Sequence, residues 1–349
     1  MTRTTLERYF AIGRPLSPLY AGLMRLRAYL YAKGIFRTRL LQMPVISIGN
    51  LTMGGTGKTP MVRYVAELLQ QHGLQPVIVS RGYGGRASGP INIVSDGRQL
   101  LLSAQEAGDE PRMLAEMLPG VAVLTGQKKA GVAQFAEKQK YGDVVVLDDG
   151  FQHLALNRNV NLVLFNARKP LGNGRVFPGG DLREPFNALN RADAFILTGM
   201  EDAALEREDL KRKLQNDFPE KPVFEGYYNQ SIMLVKGQEM VQAENVEQVK
   251  FLGFCGIARP EAFLDSVRRE GLHLNGFKAF KDHHHYTSDD IVNLIKLAEK
   301  NAAEAFLTTD KDFVKIRNQM PVSLKLYILS RRLSVSEELD GFLQKKLQL

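Results

Sequence analysis

The run Thr52-Met53-Gly54-Gly55-Thr56-Gly57-Lys58-Thr59 has the chemistry of a phosphate cradle. Glycines at 54, 55 and 57 open backbone conformations closed to other residues. Consecutive N–H groups can then converge on anionic oxygens at the start of a helix. Lys58 would reach the β- and γ-phosphates of a nucleotide, and the Thr59 hydroxyl would bind Mg²⁺. The usual G-x-x-x-x-G-K-[ST] pattern asks for glycine at position 52, where this chain has threonine. A merely structural glycine turn is the competing reading. The β-branched run before the loop (43–50, MPVISIGN) and the helical spacing of Met61, Val65, Leu68 and Leu69 after it favour nucleotide binding.

Such a loop needs an acidic partner for the metal at the end of a neighbouring strand. Asp148 and Asp149 follow the apolar run 144–147, where ligands of open α/β sheets bind. Both are metal candidates; the plainer alternative is a pair of turn aspartates ahead of Gly150. Arg183 and Glu184 close a long Gly/Pro-rich loop, 170–185, of the kind that serves as a lid or binding loop. Arg183 has the chemistry to stabilise a transferring phosphoryl group, against the alternative of a surface ion pair. A second loop, RGYGGRASGP (81–90), follows a strand-like run and so falls on the ligand-binding edge. His283, His284 and His285 are adjacent and cannot all face one metal, which argues against zinc. They read as a polar loop, or as a source of one imidazole that helps a base in a cleft.

The elements that must hold these groups are legible as alternation. Short apolar runs at 76–80, 121–125, 161–165 and 194–198 suit buried parallel strands, with helical stretches such as 110–118 and 130–138 between several of them. This predicts a P-loop NTPase-like α/β fold, a doubly wound parallel sheet over 41–217. A strand-rich linker or hinge is expected over 218–250, with FEGYYN and SIMLVKG as extended segments. A second, smaller α/β domain is expected over 251–349. It would have helices at 260–270 and 288–301, Ser288 as the N-cap of the latter, and strands in FLGFCGI, AFLTT and LKLYILS. Two α/β units about a linker would form a cleft.

Forty-six basic and 38 acidic side chains give a net charge of +8. Residues 1–40 alone hold eight basic groups and one acid, so nearly all of that excess belongs to the N-terminus. This is not the charge distribution of a nucleic-acid-binding domain. In the same segment Leu16, Leu19, Leu23, Leu26 and Leu30 recur at helical spacing, and Pro15 and Pro18 suit a helix start and argue against an earlier helix. The longest uncharged run, residues 15–24, is far short of the ~20 needed to span a bilayer. The segment reads either as an interfacial helix meeting anionic lipid or as an amphipathic helix docked on the protein's own core. A single cysteine, Cys255, excludes an intramolecular disulfide and suits a reducing compartment.

Together the motifs VISIGNLTMGGTGKTP, VSRGYGG, GDEP (108–111), VVLDDGFQH, FPGG-DLREP, FKDHHHYT and LTTDKDFVK (307–315) resemble those of the tetraacyldisaccharide 4′-kinase family, the lipid A 4′-kinases, in the family's order along nearly the whole chain. The resemblance implies transfer of the γ-phosphate of ATP, with Mg²⁺, to the 4′-hydroxyl of a tetraacyl glucosamine disaccharide 1-phosphate, giving lipid IVA. It implies a peripheral seat on the cytoplasmic face of the inner membrane through the N-terminal helix; no obligate protein partner is evident from the sequence. It also accounts for Thr52, since the family uses this variant loop. Asp109 matches the base that accepts the sugar hydroxyl proton, and His283 its partner from the second domain, with His284 the alternative. Lys58, Arg183 and Glu184 would surround the transferring phosphate, with Thr59 and Asp148 or Asp149 at the metal. Tyr83 would touch lipid or nucleotide, and Lys128 or Lys129 would supply a basic residue after the strand ending near Thr125. Two rivals remain. A membrane-cycling ATPase switch would place a lysine just before the glycine pair, where this chain has Met53. A soluble small-molecule kinase would carry the basic N-terminus as a plain surface helix.

Overall fold

The computed structural model describes residues 3–53, 56–167, 170–199, 204–237, 239–257, 260–282, 284–317, 319–321 and 325–348. Two helices open the chain, α1 (Arg3–Gly13) and α2 (Ser17–Ala32), separated by one 3-10 turn at Arg14–Leu16. The expectation of no helix before Pro15 therefore fails. A proline in the first turn of a helix lacks only a donor that the turn does not use, and the 3-10 turn absorbs the break between two helices.

The N-terminal half alternates as the sequence predicts: β1 (Val45–Asn50), α3 (Lys58–Gln71), β2 (Pro76–Ser80), β3 (Asn92–Asp96), α4 (Ala104–Ala107), α5 (Asp109–Met117), β4 (Ala122–Thr125), α6 (Lys129–Lys138), β5 (Val144–Asp148), β6 (Val160–Asn166), β7 (Ala194–Thr198) and α7 (Ala204–Asp217). Across the sheet the strands run β3-β4-β2-β5-β1-β6-β7, all parallel except β3. Alternate residues feed opposite faces. Ile46, Ile48, Ile78 and Val146 meet α3 and α5 on one side, whereas Val45, Val77, Val145 and Leu147 meet α6 on the other. Both faces are covered, so these strands are continuously apolar, and their carboxyl ends form one ligand-facing rim.

The rest is β8 (Val223–Lys236), β9 (Glu239–Gln242), β10 (Lys250–Cys255), α8 (Pro260–Arg269), β11 (His273–Ala279), α9 (Ser288–Lys300), β12 (Ala305–Thr309), α10 (Asp310–Ile316), β13 (Leu326–Val335) and α11 (Glu338–Leu347). The two extended segments expected in the linker are one 14-residue strand, β8. Its first residues pair in parallel with β7, and residues 226–234 pair antiparallel with β13, so one sheet continues through both halves. The chain also crosses back. Leu333, Val335, Leu339 and Leu343, from the segment expected as the second domain, pack in the same cluster as Ile46, Met61 and Val65. The α9 N-cap is Thr287, not Ser288: Asp290 N–H donates to Thr287 Oγ1, and Thr287 N–H donates to Asp290 Oδ2.

Candidate active site at the strand ends

Beyond β1 the chain is held against the 170–185 loop before it enters the phosphate loop. Met53 N–H donates to Asp181 O at 2.6 Å, Arg183 N–H donates to Leu51 O at 2.8 Å, and Thr52 bridges to Leu182. Gly54 and Gly55 lie outside the described residues. On the far side, Thr198 Oγ1 donates to Thr56 O at 2.9 Å, anchoring the loop to β7. Gly57 has φ +85°, and a Cβ there would stand 2.2 Å from Tyr228 Oη. Both the backbone conformation and the close approach require glycine. Lys58 and Thr59 open α3, and no N-cap side chain accepts from its first turn. Among the described residues no side chain caps those amides, so a phosphate tail fits here. Lys58 Nζ sits 3.3 Å from Asn50 Oδ1 and 3.5 Å from Asp149 Oδ1.

The acid pair stands beside the lysine. Asp148 ends β5 and is buried, and Ser80 Oγ from β2 donates to its Oδ2 at 2.8 Å. Burial pushes the Asp148 carboxyl above its usual range, against the pull of Lys129 and the serine bond. Asp149 turns out of the strand with φ +49°. Its partial burial would raise it, but Lys58 and Arg183 together hold it below the ordinary carboxylate value. Arg183 Nη1 donates to both Asp149 oxygens at 2.9 and 2.8 Å. Of the two lysines after β4, Lys129 is the one brought to the site. It is buried, and its Nζ donates to the carbonyl oxygens of Asp148 and Asp149 at 2.6 and 2.8 Å. Among the described residues no three His, Cys, Asp or Glu side chains cluster as a self-sufficient metal cage. Mg²⁺ needs no such cage, because it binds through one or two carboxylates while phosphate and water complete its shell. Asp148, Asp149 and the Thr59 hydroxyl are a donor set that fits it.

Glu184, two residues past the Thr52–Leu182 bridge, has a cation of its own. Its carboxylate is buried and paired with Arg191, whose guanidinium lies over the Phe151 ring at 4.8 Å. A carboxylate at that depth needs a fixed cation, and Arg191 supplies it.

Asp109 begins α5, across from the C-terminal half. Lys315 Nζ of α10 lies 2.9 Å from Asp109 Oδ2, the lysine side chain being 4% exposed and the aspartate 10%. The same Nζ donates to the carbonyl oxygen of His284 at 3.2 Å. His283 lies outside the described residues. His284 is engaged locally, stacked on Phe280 at 4.6 Å and 3.0 Å from Asp290 Oδ2. Tyr83 is 89% exposed, and its carbonyl lies against Gly108, so its backbone adjoins the start of α5. Between the halves is a cavity of about 230 Å³ lined by Thr59, Arg63, Met113, Phe263, Asp310 and Arg331, among others. The sequence reading did not single out Lys315, Ser80 or Thr198. The one available signal for Lys315 was its place at the end of the LTTDKDFVK motif.

A glycine-gated helix start with lysine, an acid pair on the next strand and a third carboxylate at a cleft between halves define a P-loop phosphotransferase. The family model described as tetraacyldisaccharide-1-P 4′-kinase matches residues 10–348, and this chain belongs to that family. The tetraacyldisaccharide 4′-kinase of Desulfotalea psychrophila is 50% identical over 339 residues, covering 96% of each chain. That of Geobacter metallireducens is 42% identical over 304 residues, covering 86% of this chain and 87% of its own. The crystal structure of LpxK from Aquifex aeolicus in complex with ATP superposes with a TM-score of 0.79 at 30% identity, covering 95% of this chain and 98% of that one.

Proposed function

We propose that the protein transfers the γ-phosphoryl group of ATP to the 4′-hydroxyl of a tetraacyl glucosamine disaccharide 1-phosphate, giving lipid IVA in lipid A biosynthesis. The observation that carries this reading is the contact between Lys58 and the Asp149 carboxylate at the strand ends, in a chain of this family. The first-turn amides of α3 and Lys58 grip the phosphate tail. Asp148, Asp149 and Thr59 would hold Mg²⁺, which would neutralise charge on the transferred group. Arg183 orients Asp149 by its paired bonds and adds positive charge beside the phosphates. Asp109 accepts the proton of the attacking hydroxyl, with His283 as its partner. Phosphoryl transfer is mainly positioning and charge neutralisation, and the cleft between the halves supplies a site that excludes water.

The N-terminal helices support a seat on the membrane surface, on the cytoplasmic face of the inner membrane. One side of α2 is fastened down: Ser17 Oγ donates to Val176 O at 2.8 Å, Arg27 donates to Gln152 O at 3.1 Å, and Tyr20 meets the Phe177 ring edge-on. Ile12, Leu16, Leu19, Leu23 and Leu26 point to solvent among Arg8, Arg14 and Arg25. Among the described residues no helix is long and apolar enough to cross a membrane. This is the pattern of a helix lying in the interface. The test is acceptor dependence. ATP consumption that rises with added disaccharide 1-phosphate supports the kinase reading, whereas turnover indifferent to any sugar lipid would indicate an ATPase switch.

A further inference from the structure

Lys315 has no part in the roles above, yet among the described residues it is a deeply buried ammonium, 4% exposed, at the boundary between the halves, with partners on both sides. It projects from α10 in the C-terminal half. One bond goes to Asp109 Oδ2 of α5 in the N-terminal half, and another to the backbone carbonyl of His284. That carbonyl belongs to the loop whose preceding residue is His283. A buried ammonium is costly unless a carboxylate and further acceptors surround it, so the geometry of this site is narrowly set. A carboxylate held only through a flexible side chain would sample many orientations, and a base misplaced by about 1 Å loses on the order of 10²-fold in rate.

We infer that Lys315 is a positioning residue for phosphoryl transfer, a strap that holds the histidine loop of one half against the base carboxylate of the other. The inference rests on the reading of Asp109 as the base. The contribution of the lysine is orientation: one ammonium fixes the Asp109 carboxylate and the backbone of the histidine loop at once. A second ion pair joins the same regions: Arg317 Nη1, just past α10, lies 3.8 Å from Glu116 Oε2 of α5. Its ion pair is with Glu116, so it separates strapping of the base from simple adhesion of the halves.

The experiment compares Lys315→Met, Lys315→Arg, Arg317→Met, Asp109→Asn and the Lys315→Met/Asp109→Asn double variant. Each is assayed for kcat and KM toward ATP with detergent-dispersed disaccharide 1-phosphate, alongside thermal unfolding. Lys315→Met is expected to lower kcat on the order of 10²-fold with KM for ATP changed by no more than about 3-fold. Lys315→Arg is expected to recover a large part of that loss, and Arg317→Met to keep kcat near wild type. The double variant, which removes both charges of this pair, is expected to match Asp109→Asn alone. An active Asp109→Asn would overturn the base assignment. An inactive Asp109→Asn together with unchanged or raised kcat in Lys315→Met would overturn the strap alone. So would equal losses in Lys315→Met and Arg317→Met, which would mean that the lysine only glues the halves.

Discussion

Replacing Leu19, Leu23 and Leu26 together by alanine tests how the N-terminal helices are used. These side chains are 64%, 53% and 53% exposed, so over half of each is free to enter lipid. A fully buried leucine is worth roughly 2 kcal/mol, and with about half of it available each truncation forfeits about 1 kcal/mol of transfer. Three such losses make about 3 kcal/mol, or on the order of 10²-fold in the partition coefficient. Arg8, Arg14 and Arg25 would add about 1 kcal/mol each near an anionic leaflet, a contribution that 0.5 M salt largely screens. The assay is co-sedimentation with vesicles of mixed zwitterionic and anionic lipid, for wild type and triple variant at low and high salt. Because the leucines face solvent, unfolding free energy should change by no more than about 0.5 kcal/mol. Wild-type partitioning by the triple variant would refute the reasoning. A fall of several degrees in melting temperature would refute it differently, by showing that these leucines pack on the protein itself.

Two predictions concern the interior of the site. Lys129→Met removes the donor to two buried carbonyls, each worth about 1–3 kcal/mol when left unpaired. Relief of a buried cation offsets part of that, for a net loss of about 2–4 kcal/mol by chemical denaturation; a change below 0.5 kcal/mol would contradict the assigned role. His153 is held down to about 4 by its burial and then by Lys129 and Arg158, and its neutral Nε2 accepts from Ala130 N–H at the start of α6 at 3.1 Å. The unfolded chain takes up that proton near pH 6.5 and the folded chain only near 4. Stability is therefore complete above about pH 6.5 and falls toward pH 4, by about 1–2 kcal/mol after allowance for the ring's partial exposure. His153→Gln should flatten that part of the stability–pH curve, and an unaltered slope would assign it to other groups.

What the sequence made legible follows from where the determining contacts lie. Strands β2 and β7 match their sequence runs because both faces are covered, which makes them uninterrupted apolar segments. Strand β11, HLNGFKA, was not foreseen. Its residues are exposed or half-buried around a central glycine, so neither alternation nor a continuous apolar run marks it. Strand β8 read as two segments because Gln230 falls between them; its place in one strand comes from pairing with Arg331, a hundred residues away. The same division holds at the site. Lys58, Thr59, Asp148 and Asp149 stand in local motifs at strand–loop junctions, where neighbouring residues disclose the backbone. The partners of Asp109 and Glu184 are Lys315 and Arg191, and the choice of those cations depends on which side chains the tertiary fold buries together. Asp109 itself opens α5 one residue earlier than periodicity suggested, because helical periodicity locates the apolar face better than the first turn.

The central claim is most directly tested by incubating the protein with γ-labelled ATP, Mg²⁺ and a tetraacyl disaccharide 1-phosphate in detergent micelles, then locating the label by chromatography and mass spectrometry. The expected product is a bis-phosphorylated glycolipid with the label on the 4′ oxygen, formed by wild type and lost in Lys58→Ala. Label recovered only as inorganic phosphate, or on the glycolipid at equal rate in Lys58→Ala, would contradict it.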